Sequence, residues 1–181
     1  MLNKLRLLID KLATPIGELV VICDEAGCLR ATDWTNYDER MHRLLARHYG
    51  EDRFTLAPAE HTSGPVSAVA AYFEGDIHAI DSLPVATEGT AFQKSVWQAL
   101  RSIPAGQTIS YGELALRVGK PAAMRAVGLA NGANPIGVVL PCHRVIGANG
   151  SLTGYGGGLE RKRWLLNHEK QATGDRTLFP V

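Results

Sequence analysis

SYGELALRVGKPAAMRAVGLANGANPIGVVLPCHRV, residues 110–145, decides how this chain is read. Ser110-Tyr111-Gly112-Glu113 is a capping-box pattern, with a hydroxyl for the first turn and a carboxylate three residues later to reach back. It opens a short helix through Leu114, Ala115 and Val118, which Gly119 ends. Pro121 suits the first turn of a second helix, and residues 122–131 have small side chains apart from Met124, Arg125 and Leu129. Two short helices about a glycine turn read as a helix-turn-helix whose second member can approach a nucleic-acid groove closely. The turn 131–135 then feeds a β-branched apolar run, 136–140, which reads as a buried strand or extended segment rather than a helix. Pro141 ends any ladder there and delivers Cys142 between the core and two polar neighbours, His143 and Arg144. A thiol beside an imidazole and a fixed cation is displaced towards thiolate, whereas most free cysteines are buried structural residues.

Outward from this stretch, Thr90-Ala91-Phe92-Gln93 repeats the capping pattern, and Phe92, Val96, Ala99, Leu100 and Ile103 continue one apolar face until Pro104 and Gly106 stop it. Downstream, residues 147–158 are glycine-rich, with Tyr155 ahead of Gly156-Gly157-Gly158: a close backbone approach to a ligand, or a plain connector. The last helix runs from Leu159 to Glu169. Glu169 lies on the face of Leu165 and Leu166, where a carboxylate needs a polar partner. His143 would give a Cys-His-Glu relay; an exposed helix-end carboxylate is the other reading. Asn134 either bonds backbone in its turn or braces the histidine. Residues from Gln171 onward read as an untethered tail.

The first half carries no convincing chemistry. Leu5 to Leu12, Glu18 to Cys23 and Cys28 to Trp34 read as three strands of an antiparallel meander, joined by turns at 14–17 and 24–27. Tyr37, Met41, Leu44, Leu45 and His48 share a helix face, with Asn36 and Glu39 as its capping box. A second helix starts at Pro65, carries Val66, Val69, Ala70 and Phe73 on one face, and stops at Gly75. Cys23 and Cys28 with nearby histidines lack zinc-site spacing, so no metal is expected. Three cysteines make a poor disulfide framework, and no run approaches a membrane span, so a reduced, cytoplasmic protein is expected. Residues 1–85 hold 8 Lys and Arg against 13 Asp and Glu, a net −5. Residues 86–170 hold 10 against 4, a net +6, and Asp175 with Arg176 cancel to leave +1 overall. That asymmetry fits a polyanion-binding half beside a scaffold. Boundaries fall at 1–85, 86–170 and a tail at 171–181, with a linker over 85–89.

These residues together resemble the O6-alkylguanine-DNA alkyltransferases, or methylated-DNA–protein-cysteine methyltransferases. Pro141-Cys142-His143-Arg144-Val145 is highly specific to that family, and Ser110-Tyr111, Arg125-Ala126-Val127-Gly128, Asn134-Pro135, Gly154-Tyr155 and His168-Glu169 stand in its order. The likeness runs from about Thr90 through Glu169, and more weakly through Thr14-Pro15-Ile16-Gly17. The implied fold is α+β: a small N-terminal three-stranded antiparallel sheet with helices, then a mainly helical, winged-helix-like domain.

The resemblance implies single-turnover DNA repair without a cofactor, by a monomer acting on double-stranded DNA. Cys142 would take the alkyl group from O6 of guanine, or O4 of thymine. His143, through a water and backed by Glu169, would draw off the thiol proton. Tyr111 would crowd the phosphate and protonate the departing base. Arg125 would fill the stack the base leaves, with Ala123, Met124 and Ala126 against the minor groove. Asn134 would hold the cysteine turn, and Tyr155, Gly156, Gly157 and Val145 would line the base pocket. Met124 departs from the smaller residue common beside the arginine. Two other classes use the same residues: a thiol hydrolase, which needs an oxyanion hole and turns over, and a non-catalytic helix-turn-helix regulator, which binds DNA without losing a thiol.

Overall fold

The strand Gly17–Asp24 (β2) buries six consecutive side chains, because both of its faces are covered. A strand covered on one face only would alternate. The computed structural model describes residues 4–61 and 63–180, with Asp38 described by its backbone alone. It places β2 inside a four-stranded sheet between Leu5–Thr14 (β1) and Leu29–Trp34 (β3), antiparallel to both. The fourth strand, Phe54–Pro58 (β4), pairs in parallel with β1 and corrects the three-stranded reading. Helix Asp38–Tyr49 (α1) supplies the crossover that parallel pairing requires. Its Met41 and Leu45 join Leu7, Val20, Ile22, Ala31 and Phe54 in one core.

The capping box expected at Asn36 is absent. A tight 3-10 turn, Thr35–Tyr37, precedes α1, whose cap is Tyr37 with no side-chain bond. The local anchor is instead Asp33, which accepts from Trp34 N and pairs with Arg40. Helix Gly64–Phe73 (α2) is capped by Ser63, whose hydroxyl accepts from Val66 N at 3.4 Å, and buries Val66, Val69, Tyr72 and Phe73. Residues 84–86 pair with the edge of β3: Leu29 N donates to Pro84 O and Ala86 N to Leu29 O, both at 2.9 Å. The chain therefore divides into compact units at Met1–Gly89 and Thr90–Val181.

In the second unit both capping boxes form, at Thr90 ahead of Ala91–Arg101 (α3) and at Ser110 ahead of Tyr111–Arg117 (α4). Gly119 reverses the chain at φ +69°, and Met124–Gly132 (α5) follows a 3-10 turn at Pro121–Ala123. Trp97, fully buried on α3, donates Nε1–H to Ala130 O at 2.8 Å and fixes α3 to the end of α5. The apolar run 136–140 is buried but is not the expected strand. It folds into turns, with Val138 at φ +71° and Leu140 N bonded to Ile136 O. A β-branched residue there costs on the order of 1–3 kcal/mol and persists only where its surroundings hold it. A two-residue parallel ladder, Ile109–Ser110 (β5) with Val145–Ile146 (β6), joins the start of α4 to the segment after the cysteine.

The last helix, Leu159–Ala172 (α6), runs past the expected end. The segment beyond is not untethered: Asn167 and Phe179 exchange two hydrogen bonds at 2.8 and 3.0 Å, and Lys170 holds Asp175 and Thr177. Among the described residues no helix is long and apolar enough to cross a membrane.

Candidate active site

Cys142, His143 and Arg144 form one 3-10 turn, buried throughout, with Cys142 8% exposed. Asn134 settles into the backbone role: its Nδ2 donates to Leu140 O at 2.7 Å and its Oδ1 accepts from Ile136 N at 3.0 Å. It closes the turn that leads to the thiol and does not touch the histidine through either bond.

Behind the turn, His143 Nε2 lies 2.8 Å from Glu169 Oε1, with both side chains fully buried. Glu169 also accepts from Arg144 Nε at 2.9 Å, Arg144 Nη2 at 2.8 Å and Gly106 N at 3.1 Å. Burial alone would raise the Glu169 carboxyl, but His143 and Arg144 overcome it and hold it well below the usual carboxylate range. Burial depresses His143 despite that carboxylate, so the imidazole is neutral near pH 7. An ionised carboxylate only accepts, so Nε2 carries the proton and Nδ1 keeps the lone pair. Among the described residues nothing bonds Nδ1. The histidine beside Cys142 is thus a neutral base with its basic nitrogen unspent.

Sequence reasoning missed three parts of this site. Arg144 reads only as a fixed cation beside the thiol; it is 4% exposed and also donates Nη1–H to Ile103 O at 2.5 Å. Gly106 reads only as a helix stop. Its φ of +79° aims its N–H at Glu169, and a Cβ there would meet Thr173 Oγ1 at 2.7 Å. Lys162 carries no sequence signal of its own. It is fully buried, and its ammonium donates to Val145 O at 2.6 Å, Thr153 O at 2.8 Å and Gly154 O at 3.3 Å. Burial pulls its pKa down to about 8. The signal for all three was spacing along α6 and around the turn after α3, visible only once the helices are placed.

Tyr111, at the first turn of α4, donates its hydroxyl to Thr153 O at 3.2 Å. Burial raises its pKa, so it remains a phenol able to donate. Val145 is fully buried in β6, its carbonyl taken by Lys162. Tyr155 is half-buried, Gly156 exposed and Gly157 buried, in a turn closed by Gly158 N to Tyr155 O at 2.9 Å. Arg125, Met124 and Ala126 stand exposed at the start of α5, with Ala123 half-buried just before them. They lie apart from the buried relay, on the surface of the helix-turn-helix. Among the described residues no group of His, Cys, Asp and Glu could hold a metal ion.

Residues 91–171 match the family model of the 6-O-methylguanine DNA methyltransferase DNA-binding domain. A methylated-DNA–protein-cysteine methyltransferase of Salmonella typhimurium is 55% identical over 165 residues, spanning 91% of this chain and 96% of that protein. Its Haemophilus influenzae counterpart is 53% identical over 157 residues, 87% of this chain and 83% of that one. Among solved structures, an O6-methylguanine methyltransferase of Mycobacterium tuberculosis superposes with a TM-score of 0.73 at 41% identity, covering 92% of this chain and 94% of that one. A structure of that organism's protein in complex with DNA superposes at 0.72 and 40%, with the same coverage.

Proposed function

The chain belongs to the methylated-DNA–protein-cysteine methyltransferase family, and from that membership we propose that Cys142 repairs O6-alkylguanine in DNA by taking the alkyl group onto its own sulfur. The protein is a DNA repair methyltransferase, and DNA is its partner. The observation that carries the reading of Cys142 is the neutral His143, held by Glu169 at 2.8 Å with Nδ1 left as a base on the residue next to the thiol.

The thiol proton passes towards His143, whose positive form Glu169 stabilises. The thiolate attacks the alkyl carbon, an S–C bond forms, and the C–O6 bond breaks with its electron pair on the base. Tyr111 supplies a proton to the departing guanine. The same displacement serves O4-alkylthymine. A lesion within a stacked duplex lies beyond reach of a buried thiol, so the nucleotide must leave the stack, at a cost of a few kcal/mol. Arg125 fills the gap while Ala123, Met124 and Ala126 line the groove, and phosphate contacts from the basic half offset the cost. Asn134 holds the cysteine turn; Tyr155, Gly156, Gly157 and Val145 bound the base pocket. A thioether is a poor leaving group, so each chain acts once. The three free cysteines suit a reducing cytoplasm, and one reactive thiol, Cys142, needs no second subunit, so the protein works there as a monomer.

Incubation with O6-methylguanine DNA, followed by intact-protein mass and peptide mapping, tests this. One methyl group per chain on Cys142 is expected, and none in Cys142→Ser. Label on Cys23 or Cys28, or continued turnover with excess DNA, overturns it.

A further inference from the structure

Leu129 is 72% exposed, the most open of the large apolar side chains among the described residues. It stands on α5 four residues after Arg125, so the two share a face and lie about 6 Å apart along the helix axis. Met124, 55% exposed, precedes Arg125, and the rest of the outward surface of α5 is Ala126 and Gly132. Val127, Ala130 and Asn131 turn inward. A lone exposed leucine is ordinary, but this one continues the surface that carries Arg125. That surface is also basic: Arg117 and Lys120 are exposed at the turn into α5, and no acidic residue occurs between Glu113 and Glu160. Charge and continuity both make DNA the occupant of this face.

Resting on the placement of Arg125 and its neighbours in the duplex proposed above, we propose that Leu129 presses on the floor of the minor groove beside the lesion and makes repair depend on the flanking base pairs, favouring A·T over G·C. The small side chains around it leave α5 slender enough for a groove about 6 Å wide. On that floor both pairs show two acceptors, and only G·C adds a donor, the 2-amino group of guanine. Leucine has no acceptor to offer. Against G·C it displaces the water on the amine and leaves a donor unmatched, a penalty that A·T does not incur. The spacing limits the reach: about 6 Å along the helix is less than two steps of about 3.4 Å, so the contacted pair lies within two of the vacated site.

Single-turnover transfer at subsaturating protein is measured from duplexes whose two pairs on each side of O6-methylguanine are A·T, G·C or inosine–cytosine. Inosine keeps the pairing frame of guanine and lacks only the 2-amino group. The wild-type protein is compared with Leu129→Ala, and each rate is taken as a ratio between the two proteins, so that duplex strength and fraction folded cancel. That ratio should be roughly two- to tenfold higher for the A·T and inosine contexts than for G·C, the worth of one hydrogen bond. A ratio equal in all three contexts overturns the proposal. So does one in which inosine follows G·C, because the amine is then not the group being read. Affinities for lesion-free alternating duplexes of the same three compositions should follow the same order, whichever residue is the nucleophile. That order without any transfer supports the role of Leu129 and refutes the reading of Cys142 alone. Equal losses by Arg125→Ala on duplex and on free O6-benzylguanine overturn the groove placement, and this proposal with it.

Discussion

Glu169→Gln should unfold this protein at a markedly lower temperature, for reasons that can be counted. The carboxylate is fully buried and accepts four hydrogen bonds, from His143, twice from Arg144 and from Gly106. The amide replaces one oxygen with a donor, so bonds on that side become donor against donor. It also leaves the guanidinium of Arg144, 4% exposed, without its counter-charge. Removing one partner of a buried pair costs about 3–5 kcal/mol, since the survivor stays buried. At about 2–4 °C per kcal/mol for a chain of this size, the expected fall is roughly 6–20 °C. The depressed Glu169 pKa gives the sign with pH. Its contribution is complete above the unfolded-state value near ~4.3 and is lost as pH falls through the folded value. The gap should therefore be full at pH 7 and narrow only in strong acid. Thermal unfolding by circular dichroism measures it, and Arg144→Met in the Glu169→Gln background should recover part of the loss. A melting point within about a degree of wild type, or additive losses in the double variant, would refute the claim that Glu169 neutralises a buried cation.

Arg125→Ala should slow repair of a paired duplex more than reaction with free O6-benzylguanine, because only the duplex needs the vacated stack filled; equal losses would reduce Arg125 to a fold residue. His143 has a folded pKa below its unfolded value of ~6.5, so its stabilisation is present above that pH and fades as pH falls towards the folded value. Unfolding free energies between pH 7 and 5 should show that slope, and His143→Phe should remove it; an unchanged slope would mean that the imidazole is not held neutral. The S-methylated protein should melt below the unmodified one, since an added carbon overpacks a buried site at about 1–3 kcal/mol, and larger alkyl groups should lower it further. Identical melting after full modification would refute that.

Local signals were legible where the residues that satisfy them are local too. Thr90 with Gln93, and Ser110 with Glu113, close their capping boxes within one turn. Asn36 and Glu39 have the same spacing, but Asp33 and Arg40 organise that corner instead, and a pattern of two residues cannot show a stronger competitor. The strand β4 escaped because its pairing is parallel and distant, and its exposed Thr55 with Pro58 looks like loop. The run 136–140 fits strand composition, yet Asn134 bonds both ends of it and forces turns. The pairing of His143 with Glu169 was legible because a carboxylate on a core-facing helix stripe needs a polar partner. Arg144 and Lys162 were not, because a charged side chain is ordinarily solvated, and only the packed structure reveals backbone carbonyls gathered around it.

The ladder between β5 and β6 is only two residues long, yet Ser110 is at once its outer rung and the N-cap of α4. Val145, its other first rung, follows the Cys-His-Arg turn without a spacer. The sulfur's turn is thereby tied to the base of the helix-turn-helix by two rungs and no intervening loop. Were Cys142 alkylated as proposed, the added carbon would press on a turn joined directly to that ladder and, through Ser110, to α4. A protein that reacts once gains from such a tie: the same carbon that ends its chemistry would also loosen its hold, clearing the repaired site for the next molecule.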